Sequence, residues 1–238
     1  MPFFDAFFEI QPTAFGRWLQ SKKAHKVLER LQRHHPRLER MLEIGPGWGE
    51  LANRSLAAHI DYHAVEKNLS RALHLQKQGV SITIVDVPPI SMKNQEFDAV
   101  VAHNVLEHMP DFRMAVRLLN EMVRVTRPQG LVCINCPDYL SAGKHFWDAD
   151  YTHNFPVTMR RLTQMFQDQG LEIVDKAFFA GPISGPSATF LDWMVRLFPG
   201  EGIVFWTSST IFQSRIHRAR MTFMRNIFMI GRKGEWGR

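Results

Sequence analysis

The sequence predicts an α/β protein with a doubly wound, mostly parallel sheet that carries helices on both faces. Short apolar or alternating segments, typical of strands, recur along the chain, and segments of helical periodicity lie between them. A glycine-rich turn, Gly45, Gly47 and Gly49, follows the first of these strands. The chain has 238 residues, 45% of them hydrophobic, which suits one domain with an elaboration.

The predicted sheet has seven strands, which alternate with helices along the chain. The strands span residues 41–44, 61–66, 80–86, 97–103, 131–135, 171–179 and 227–232. Helices are predicted over residues 50–59, 68–78, 110–126 and 158–170. The last helix starts at Thr158, a suitable N-cap, and stops at Gly170. Pro128-Gln129-Gly130 is expected to separate the third helix from the fifth strand, and alternation of this kind is typical of a parallel sheet.

Two further segments flank this core. Residues 1–39 carry aromatic and apolar side chains at helical spacing, among them Phe3, Phe4, Phe7 and Phe8, and are predicted to form a helical cap. Residues 181–226 are an apolar insertion before the last strand, and they include an amphipathic pattern at Phe190, Trp193, Met194, Leu197 and Phe198. We therefore divide a single domain, 1–238, into the cap, a cofactor-binding core over 40–180, the insertion, and a final strand with its tail over 227–238.

Composition and the amino-terminal sequence indicate a cytoplasmic protein, with peripheral membrane contact left open. Two cysteines are too few for a disulfide framework and favour a reducing compartment. The amino terminus, MPFFDAFFEI, lacks the basic region of a signal peptide, and no uncharged apolar run approaches the roughly 18–20 residues of a membrane span. Cys133 and Cys136 are three residues apart on a strand, so their side chains face opposite ways. We interpret them as buried thiols, and no metal site is predicted.

Positive charge is concentrated at the two ends of the chain. The net charge is +6, yet residues 1–40 hold eight Lys and Arg against four Asp and Glu, and residues 215–238 hold seven against one. The middle of the chain is therefore mildly acidic. Basic ends can contact lipid headgroups or nucleic acid, although a solvated basic surface is the interpretation that we prefer.

The glycine turn has the chemistry of a ligand site. Glycine accepts positive φ and adds no Cβ, so a ligand can approach the main chain closely. In a doubly wound sheet such a turn faces the crevice where the strand order reverses. A dinucleotide fingerprint, G-x-G-x-x-G, would require glycine where the chain has Glu50, whose carboxylate would repel a pyrophosphate. Glu43, two residues before Gly45, suits instead a ligand with a positive or hydrogen-donating group, and NAD is disfavoured.

Polar residues also end the next three predicted strands. Glu66 ends the second strand, where an acid can accept hydrogen bonds from both hydroxyls of a ribose. Asp86 ends the third strand, where it can accept from an adenine amino group while Val87 packs on the ring. Asn104 follows the fourth strand. Each could be an ordinary strand-end residue, but together they predict an adenosine-containing ligand.

With these motifs the chain resembles the class I S-adenosylmethionine-dependent methyltransferases, in the branch of ubiquinone-biosynthesis-like and type 11 methyltransferases. The resemblance runs from about residue 40 to 179. LEIGPGWG resembles the family's E/D-x-G-x-G-x-G turn, VEKN its ribose-binding segment and VDVP its adenine-side acid. FDAVVAHNVLEHMPD is similar to the fourth-strand segment of that branch. The resemblance implies a Rossmann-like fold with a seven-stranded sheet and S-adenosyl-L-methionine as the cofactor.

The same resemblance implies a role for each cofactor-binding position. The residues at these positions are Glu43, Gly45, Gly47 and Gly49 at the methionine end, Glu66 and Lys67 at the ribose, Asp86 and Val87 at the adenine, and Asn104 near the sulfonium.

Two histidines are the candidate catalytic residues. Methyl transfer needs a base when the nucleophile is a hydroxyl or a carbon acid, and hardly at all for an amine. His108 lies just past the fourth strand and His153 lies in the loop before Thr158, so both are expected on the crevice side. Alternatively, His108 packs or caps the turn before Pro110, and His153 only lines the substrate pocket.

The methyl acceptor is expected to be a small metabolite or one linked to a lipid or glycan, with oxygen as the acceptor atom. The apolar insertion motivates a partly hydrophobic acceptor, since it can act as a lid, as a packing or homodimer surface, or as a membrane contact. A tRNA or rRNA methyltransferase is the alternative that the basic ends suggest, although the N/D-P-P-Y motif of amino-directed enzymes is not found after the fourth strand. A non-catalytic relative that binds the cofactor is the third.

Overall fold

The computed structural model describes residues 13–197 and 222–235 and arranges them around one mixed sheet. The strands are β1 (Arg40–Ile44), β2 (Asp61–Glu66), β3 (Ser81–Ile84), β4 (Phe97–His103), β5 (Thr126–Pro137), β6 (Glu172–Ala180), β7 (Ile183–Ser184) and β8 (Asn226–Arg232). The helices are α1 (Ala14–His34), α2 (Glu50–Ala57), α3 (Leu69–Lys77), α4 (Phe112–Val125), α5 (Tyr139–Ala142), α6 (His145–Ala149), α7 (Met159–Asp168) and α8 (Pro186–Leu197). A 3₁₀ turn, Leu106–His108, follows β4.

The strand order is β3-β2-β1-β4-β5-β8-β6-β7, and β1 to β5 are all parallel. The order reverses at β1, which pairs with β2 on one side and β4 on the other. β8 runs antiparallel to both of its neighbours, β5 and β6. Its first residue, Asn226, therefore pairs with Phe179 near the carboxyl end of β6. The doubly wound, mostly parallel class predicted from the sequence is confirmed.

Helices cover both faces of the sheet because alternate residues of each strand bury apolar side chains on opposite sides. One core joins the inner faces of α4 and α7 to strand residues such as Leu42, Val100 and Ile134. The other joins α1, α2 and α3 to strand residues such as Met41 and Val101. Cys136 belongs to the first core and Cys133 to the second, and both thiols are buried and free, as the sequence predicts.

Side chains cap most of the longer helices at their amino ends. The residues Thr13, Asn68, Asp111 and Thr158 each accept a hydrogen bond from the backbone N–H three positions on, at the start of α1, α3, α4 and α7. α2 differs, because Gly49 stands at its N-cap position with φ +80° and offers no side-chain acceptor. The amino end of α2 follows the glycine turn directly, so backbone N–H groups of its first turn remain available to a ligand at the crevice.

The structure corrects three details of the predicted sheet. It has eight strands rather than seven, because Ile183 and Ser184, at the start of the predicted insertion, form β7 against the end of β6. β3 ends at Ile84, two residues before the predicted end at Asp86.

The third correction concerns the start of β5. This strand begins at Thr126 and runs through Pro128-Gln129-Gly130, whereas the sequence predicts that it starts after this tripeptide. The pairing with β4 jumps from Thr126 to Leu131 while β4 advances only from Phe97 to Ala99. The predicted break is therefore an irregularity within a strand.

The predicted amphipathic helix of the insertion is present as α8, which packs beside β6 and β7. Asp192 on its buried side accepts a hydrogen bond from the Arg225 backbone N–H at 3.1 Å and so joins α8 to the start of β8. The aromatic positions predicted between residues 3 and 8, and Phe198, lie outside the described residues. None of the described helices is both long and apolar enough to cross a membrane. The division into cap, core, insertion and final segment stays a prediction.

Candidate cofactor crevice and active site

The glycine turn lies at the carboxyl end of β1, where the strand order reverses. Gly45, Gly47 and Gly49 all have left-handed backbones, with φ of +68°, +58° and +80°. A Cβ on Gly45 would lie 2.7 Å from Val105 Cγ2, and one on Gly49 would lie 2.6 Å from Leu75 Cδ2. A Cβ on Gly47 would meet nothing within 4 Å. Two of the glycines are therefore required by packing, whereas the bare side of Gly47 faces open space that a ligand could fill.

Glu43 lies below this turn and is 2% exposed. Its Oε2 accepts a hydrogen bond from the Tyr62 hydroxyl at 2.5 Å, and its Oε1 lies 3.1 Å from His103 Nδ1, which must donate because the carboxylate only accepts. Burial and the neighbouring carboxylate raise the pKa of Tyr62 well above its ordinary value. The sequence predicts that Glu43 faces the charged end of the cofactor. In the structure its two oxygens hold Tyr62 and His103.

His103 is a site residue that the sequence analysis does not single out. It ends β4, next to Asn104, and its Nε2 is buried without a hydrogen-bond partner among the described residues. Glu43 holds this imidazole through its Nδ1. The signal for His103 in the sequence is weak, because a histidine at the end of an apolar strand is also common at ordinary strand ends.

Glu66 ends β2 and is 5% exposed. Its Oε1 accepts from the Asn68 backbone N–H at 2.8 Å, and its Oε2 lies 3.0 Å from Arg71 Nη1. Burial lowers the pKa of Arg71, and Glu66 opposes that shift. The predicted ribose acid is therefore held rigidly at the crevice, while the neighbouring Lys67 is exposed.

The other predicted cofactor residues follow the ends of β3 and β4. Asp86 is exposed, and its Oδ1 accepts from the Val87 backbone N–H at 3.1 Å. Asn104 is exposed with φ +51°, and its N–H donates to the Asn135 carbonyl at 2.8 Å. Since β3, β2, β1 and β4 are consecutive in the sheet, the structure brings all of these carboxyl ends to one edge.

Glu107, His108 and His153, which we call the crevice cluster, come together at the same edge. One ligand atom from each side chain lies within 4.8 Å of the other two. The two imidazole rings are 4.9 Å apart between centroids. The loop that carries His153 is joined to the 3₁₀ turn, because the Glu107 carbonyl accepts from the N–H groups of Asn154 and Phe155, both at 3.0 Å. The two predicted catalytic histidines are thus neighbours, although 44 positions separate them in the chain.

Glu107 is the most unusual member of the crevice cluster. It is fully buried, and neither carboxylate oxygen has a hydrogen-bond partner among the described residues. Burial raises its pKa to about 8, and its own backbone N–H and, less strongly, the Lys23 ammonium oppose that shift. Burial also lowers the pKa of Lys23, on α1, to about 8, and Glu107 opposes that shift. The sequence analysis predicts neither residue, because an acid and a lysine far apart in the chain carry no local motif.

Hydrogen bonds define the tautomer of each histidine in the crevice cluster. His153 Nδ1 lies 2.7 Å from the Phe146 carbonyl, which can only accept, so Nδ1 carries the proton. His108 Nδ1 lies 2.8 Å from Thr152 Oγ1, whose own proton goes to Asp150 Oδ1 at 2.8 Å, so this Nδ1 also donates. Burial and the His153 ring lower the pKa of His108 to about 4. Its ring is therefore neutral near pH 7, and the lone pair lies on Nε2.

An aromatic group borders the crevice cluster. The Phe146 ring is 4.8 Å from the His153 ring, and Trp147 packs against both Phe146 and Tyr139. Trp147 and Tyr151 remain exposed at 47% and 71%. An acceptor that reached the crevice cluster would therefore cross a partly apolar surface.

These features fit a ligand that contains adenosine. The open side of Gly47 leaves a space that a Cβ would enter, α2 starts without a side-chain cap, and a buried carboxylate stands at the end of β2. The crevice and its glycine turn define the class I S-adenosylmethionine-dependent methyltransferase arrangement.

Comparisons with known proteins agree with this class. The sequence matches the family described as "Methyltransferase domain" over residues 15–176. The Bos taurus protein named "Probable tRNA methyltransferase 9B" is 27% identical over 135 residues, which are 56% of this chain but only 28% of that protein.

Solved structures share the fold at low sequence identity. A SAM dependent methyltransferase from Archaeoglobus fulgidus is 19% identical with a TM-score of 0.61, over 88% of this chain and 94% of that one. Phosphoethanolamine N-methyltransferase 2 from Haemonchus contortus, in complex with S-adenosyl-L-methionine, is 16% identical with a TM-score of 0.62, over 88% of this chain and 52% of that one. The chain belongs to the methyltransferase domain family, and S-adenosyl-L-methionine is its cofactor.

Proposed function

We propose that the protein methylates a hydroxyl oxygen of a small metabolite, or of one linked to a lipid or glycan. The observation that carries this proposal is the position of the crevice cluster beside the glycine turn. Val105, two residues before Glu107, lies so close to Gly45 that a Cβ there would approach it to 2.7 Å. Groups able to take up a proton are therefore next to the cofactor crevice, and a hydroxyl acceptor needs them whereas an amine hardly does.

The cofactor supplies an electrophilic methyl group when bound. The residues proposed to hold it are Glu66, with Lys67 beside it, at the ribose, Asp86 and Val87 at the adenine, and the glycine turn with Asn104 at the methionine end. Glu43 contributes as a positioning residue, because it orients His103 below the turn. His108 and His153 lie where the proton of a hydroxyl acceptor would leave, and the exposed faces of Trp147 and Tyr151 support a partly apolar acceptor.

Binding and transfer can be tested separately. Calorimetry with S-adenosylmethionine and S-adenosylhomocysteine should show a single site, and absence of binding would end the proposal. Transfer should then be followed with methyl-labelled cofactor against lipid extract, glycan-linked lipid, a panel of small hydroxyl metabolites and total tRNA. We expect label in one of the first three pools, whereas label that enters only tRNA would replace this proposal with the next.

A nucleic-acid acceptor is the second candidate, and the observations that favour it are the basic ends and the 27% match to a protein named for tRNA methylation. Electrostatic contact with phosphates would make tRNA affinity fall steeply with salt. A tRNA-binding titration at about 50 mM and 200 mM salt tests this candidate, since an affinity that does not change with salt, or no binding, excludes a nucleic-acid acceptor.

A cofactor-binding relative without turnover is the third candidate, and it predicts cofactor binding with no label in any pool.

A further inference from the structure

We propose that the crevice cluster binds a divalent first-row transition-metal ion through a Glu107 carboxylate oxygen and the Nε2 atoms of His108 and His153. Two imidazoles and one carboxylate form a donor set that such ions accept, with coordination positions left for another ligand. The sequence analysis predicted no metal site, because Glu107 and His153 belong to separate segments of the chain.

The first support is geometric. A tetrahedral ion with bonds of about 2.0–2.2 Å holds its ligand atoms roughly 3.4 Å apart. The three ligand atoms of the crevice cluster all lie within 4.8 Å of one another. These separations exceed the distance in a bound site by no more than about 1.4 Å, which is on the scale of side-chain adjustment.

The second support is the state of Glu107. A buried carboxylate without hydrogen bonds is costly, and the usual remedies are a partner or a metal ion. Both Glu107 oxygens are buried without a hydrogen-bond partner among the described residues, and the side chain is 0% exposed. Its carboxylate is also one of the groups that point at the two imidazoles. A cation between these three residues would satisfy it.

The third support is the outer layer of hydrogen bonds. Metal-bound histidines donate their other ring N–H to a carbonyl, a carboxylate or a comparable acceptor, which fixes the ring and its tautomer. His153 donates to the Phe146 carbonyl at 2.7 Å, and His108 donates to Thr152, which donates in turn to Asp150. Since Nδ1 donates in both rings, Nε2 is the nitrogen of each ring that carries the lone pair for a metal ion.

The ligand type narrows the choice of ion. Imidazole nitrogen suits Zn²⁺, Fe²⁺, Co²⁺ and Ni²⁺, whereas Mg²⁺ and Ca²⁺ prefer oxygen ligands throughout. An ion at this point would lower the pKa of an acceptor hydroxyl bound to it. The role of the ion in activating an acceptor hydroxyl rests on the proposed function. Binding of the ion itself requires neither the cofactor nor an acceptor.

The experiment is a titration of the full-length, tag-free, chelator-treated protein with Co²⁺, followed by calorimetry and by visible absorption, which reports nitrogen and oxygen coordination. We expect one ion per chain, with competition by Zn²⁺ and none by Mg²⁺. Glu107→Gln keeps the shape of the side chain and should weaken binding at least about tenfold. His25→Gln removes an exposed histidine of α1 and should leave the affinity unchanged.

Two further variants keep the test decisive if Glu107→Gln folds poorly. Thr152→Val removes the hydroxyl that accepts from His108 Nδ1 and donates to Asp150, and it should weaken Co²⁺ binding by about 10- to 100-fold, as expected for an outer hydrogen bond. Lys23→Met removes the positive charge that opposes a cation near Glu107, so Co²⁺ should bind more tightly. Equal Co²⁺ affinity in wild type, Glu107→Gln and Thr152→Val, or affinity lost in His25→Gln, would overturn the inference.

The outcome is independent of the proposed function. A protein that binds S-adenosylhomocysteine but not Co²⁺ refutes only the metal site. A protein that binds Co²⁺ but transfers no methyl group to any hydroxyl pool refutes the proposed function and keeps the site.

Discussion

Substituting Gly47 by alanine should separate cofactor binding from stability. Gly47 has φ +58°, and a Cβ there would meet no protein atom within 4 Å. The only cost to the folded protein is the left-handed backbone, about 1–2 kcal/mol for a residue with a Cβ. For a chain of this size, that should lower Tm by roughly 2–8 °C. The same Cβ would occupy space that the cofactor needs, so the Kd for S-adenosylhomocysteine should rise at least about tenfold, or 1.4 kcal/mol.

Gly170→Ala is the matched control. Gly170 follows α7 and has φ +68°, and a Cβ there also meets nothing within 4 Å. It lies just before β6, at the amino end of that strand, and is therefore far from the glycine turn. It should lose a similar amount of stability and retain the wild-type Kd. Differential scanning fluorimetry and calorimetry on the three proteins measure both quantities. If Gly47→Ala binds S-adenosylhomocysteine as tightly as Gly170→Ala does, the open side of Gly47 does not face the ligand and our reading of the crevice is wrong.

Three further substitutions test the core packing and two buried polar groups by chemical unfolding. Gly231→Ala would place a Cβ 2.7 Å from Phe166 Cδ1, so overpacking should cost about 1–3 kcal/mol, and an unchanged unfolding midpoint would contradict that contact. Arg225→Met leaves the buried carboxylate of Asp138 without its 2.6 Å ion-pair partner and should cost about 3–5 kcal/mol, which a loss below about 1 kcal/mol would refute. Tyr62→Phe removes the hydroxyl that donates to the buried carboxylate of β1 and should cost about 1.5–3 kcal/mol, whereas a more stable variant would show that this carboxylate does not depend on it.

Elements with local signals were the easiest to predict from the sequence. α7 begins after Thr158 and ends just before Gly170, as its cap and stop residues indicate. The end of β2 at Glu66 and the left-handed glycines can also be predicted from local patterns. Glycine is the residue that a left-handed backbone favours, so its spacing indicates where such a turn lies. Where the boundary depends on a neighbouring strand, the pattern is insufficient: β5 extends back to Thr126 because it pairs with Phe97 on β4.

The site could be predicted only in part, because some of its residues meet only through tertiary structure. The polar residues at strand ends share one edge once the strand order is known, so their grouping follows from the fold class. Glu107 and Lys23 affect each other's pKa across the fold, from the 3₁₀ turn and from α1, and no spacing in the chain encodes that proximity. His103 was missed because its role depends on the carboxylate of Glu43 beside it, on a neighbouring strand.

The reversed direction of β8 has a consequence for how this protein could diversify. β6 ends and β8 begins at the same rim of the sheet, the rim that carries the glycine turn, and α8 packs beside the end of β6 and β7. Replacing α8, Pro186–Leu197, would change that rim while the paired strands and the two apolar cores stay as they are. Natural or engineered changes of substrate preference are therefore most easily accommodated in that stretch, and chimaeras exchanged at its two ends should still fold and bind the cofactor.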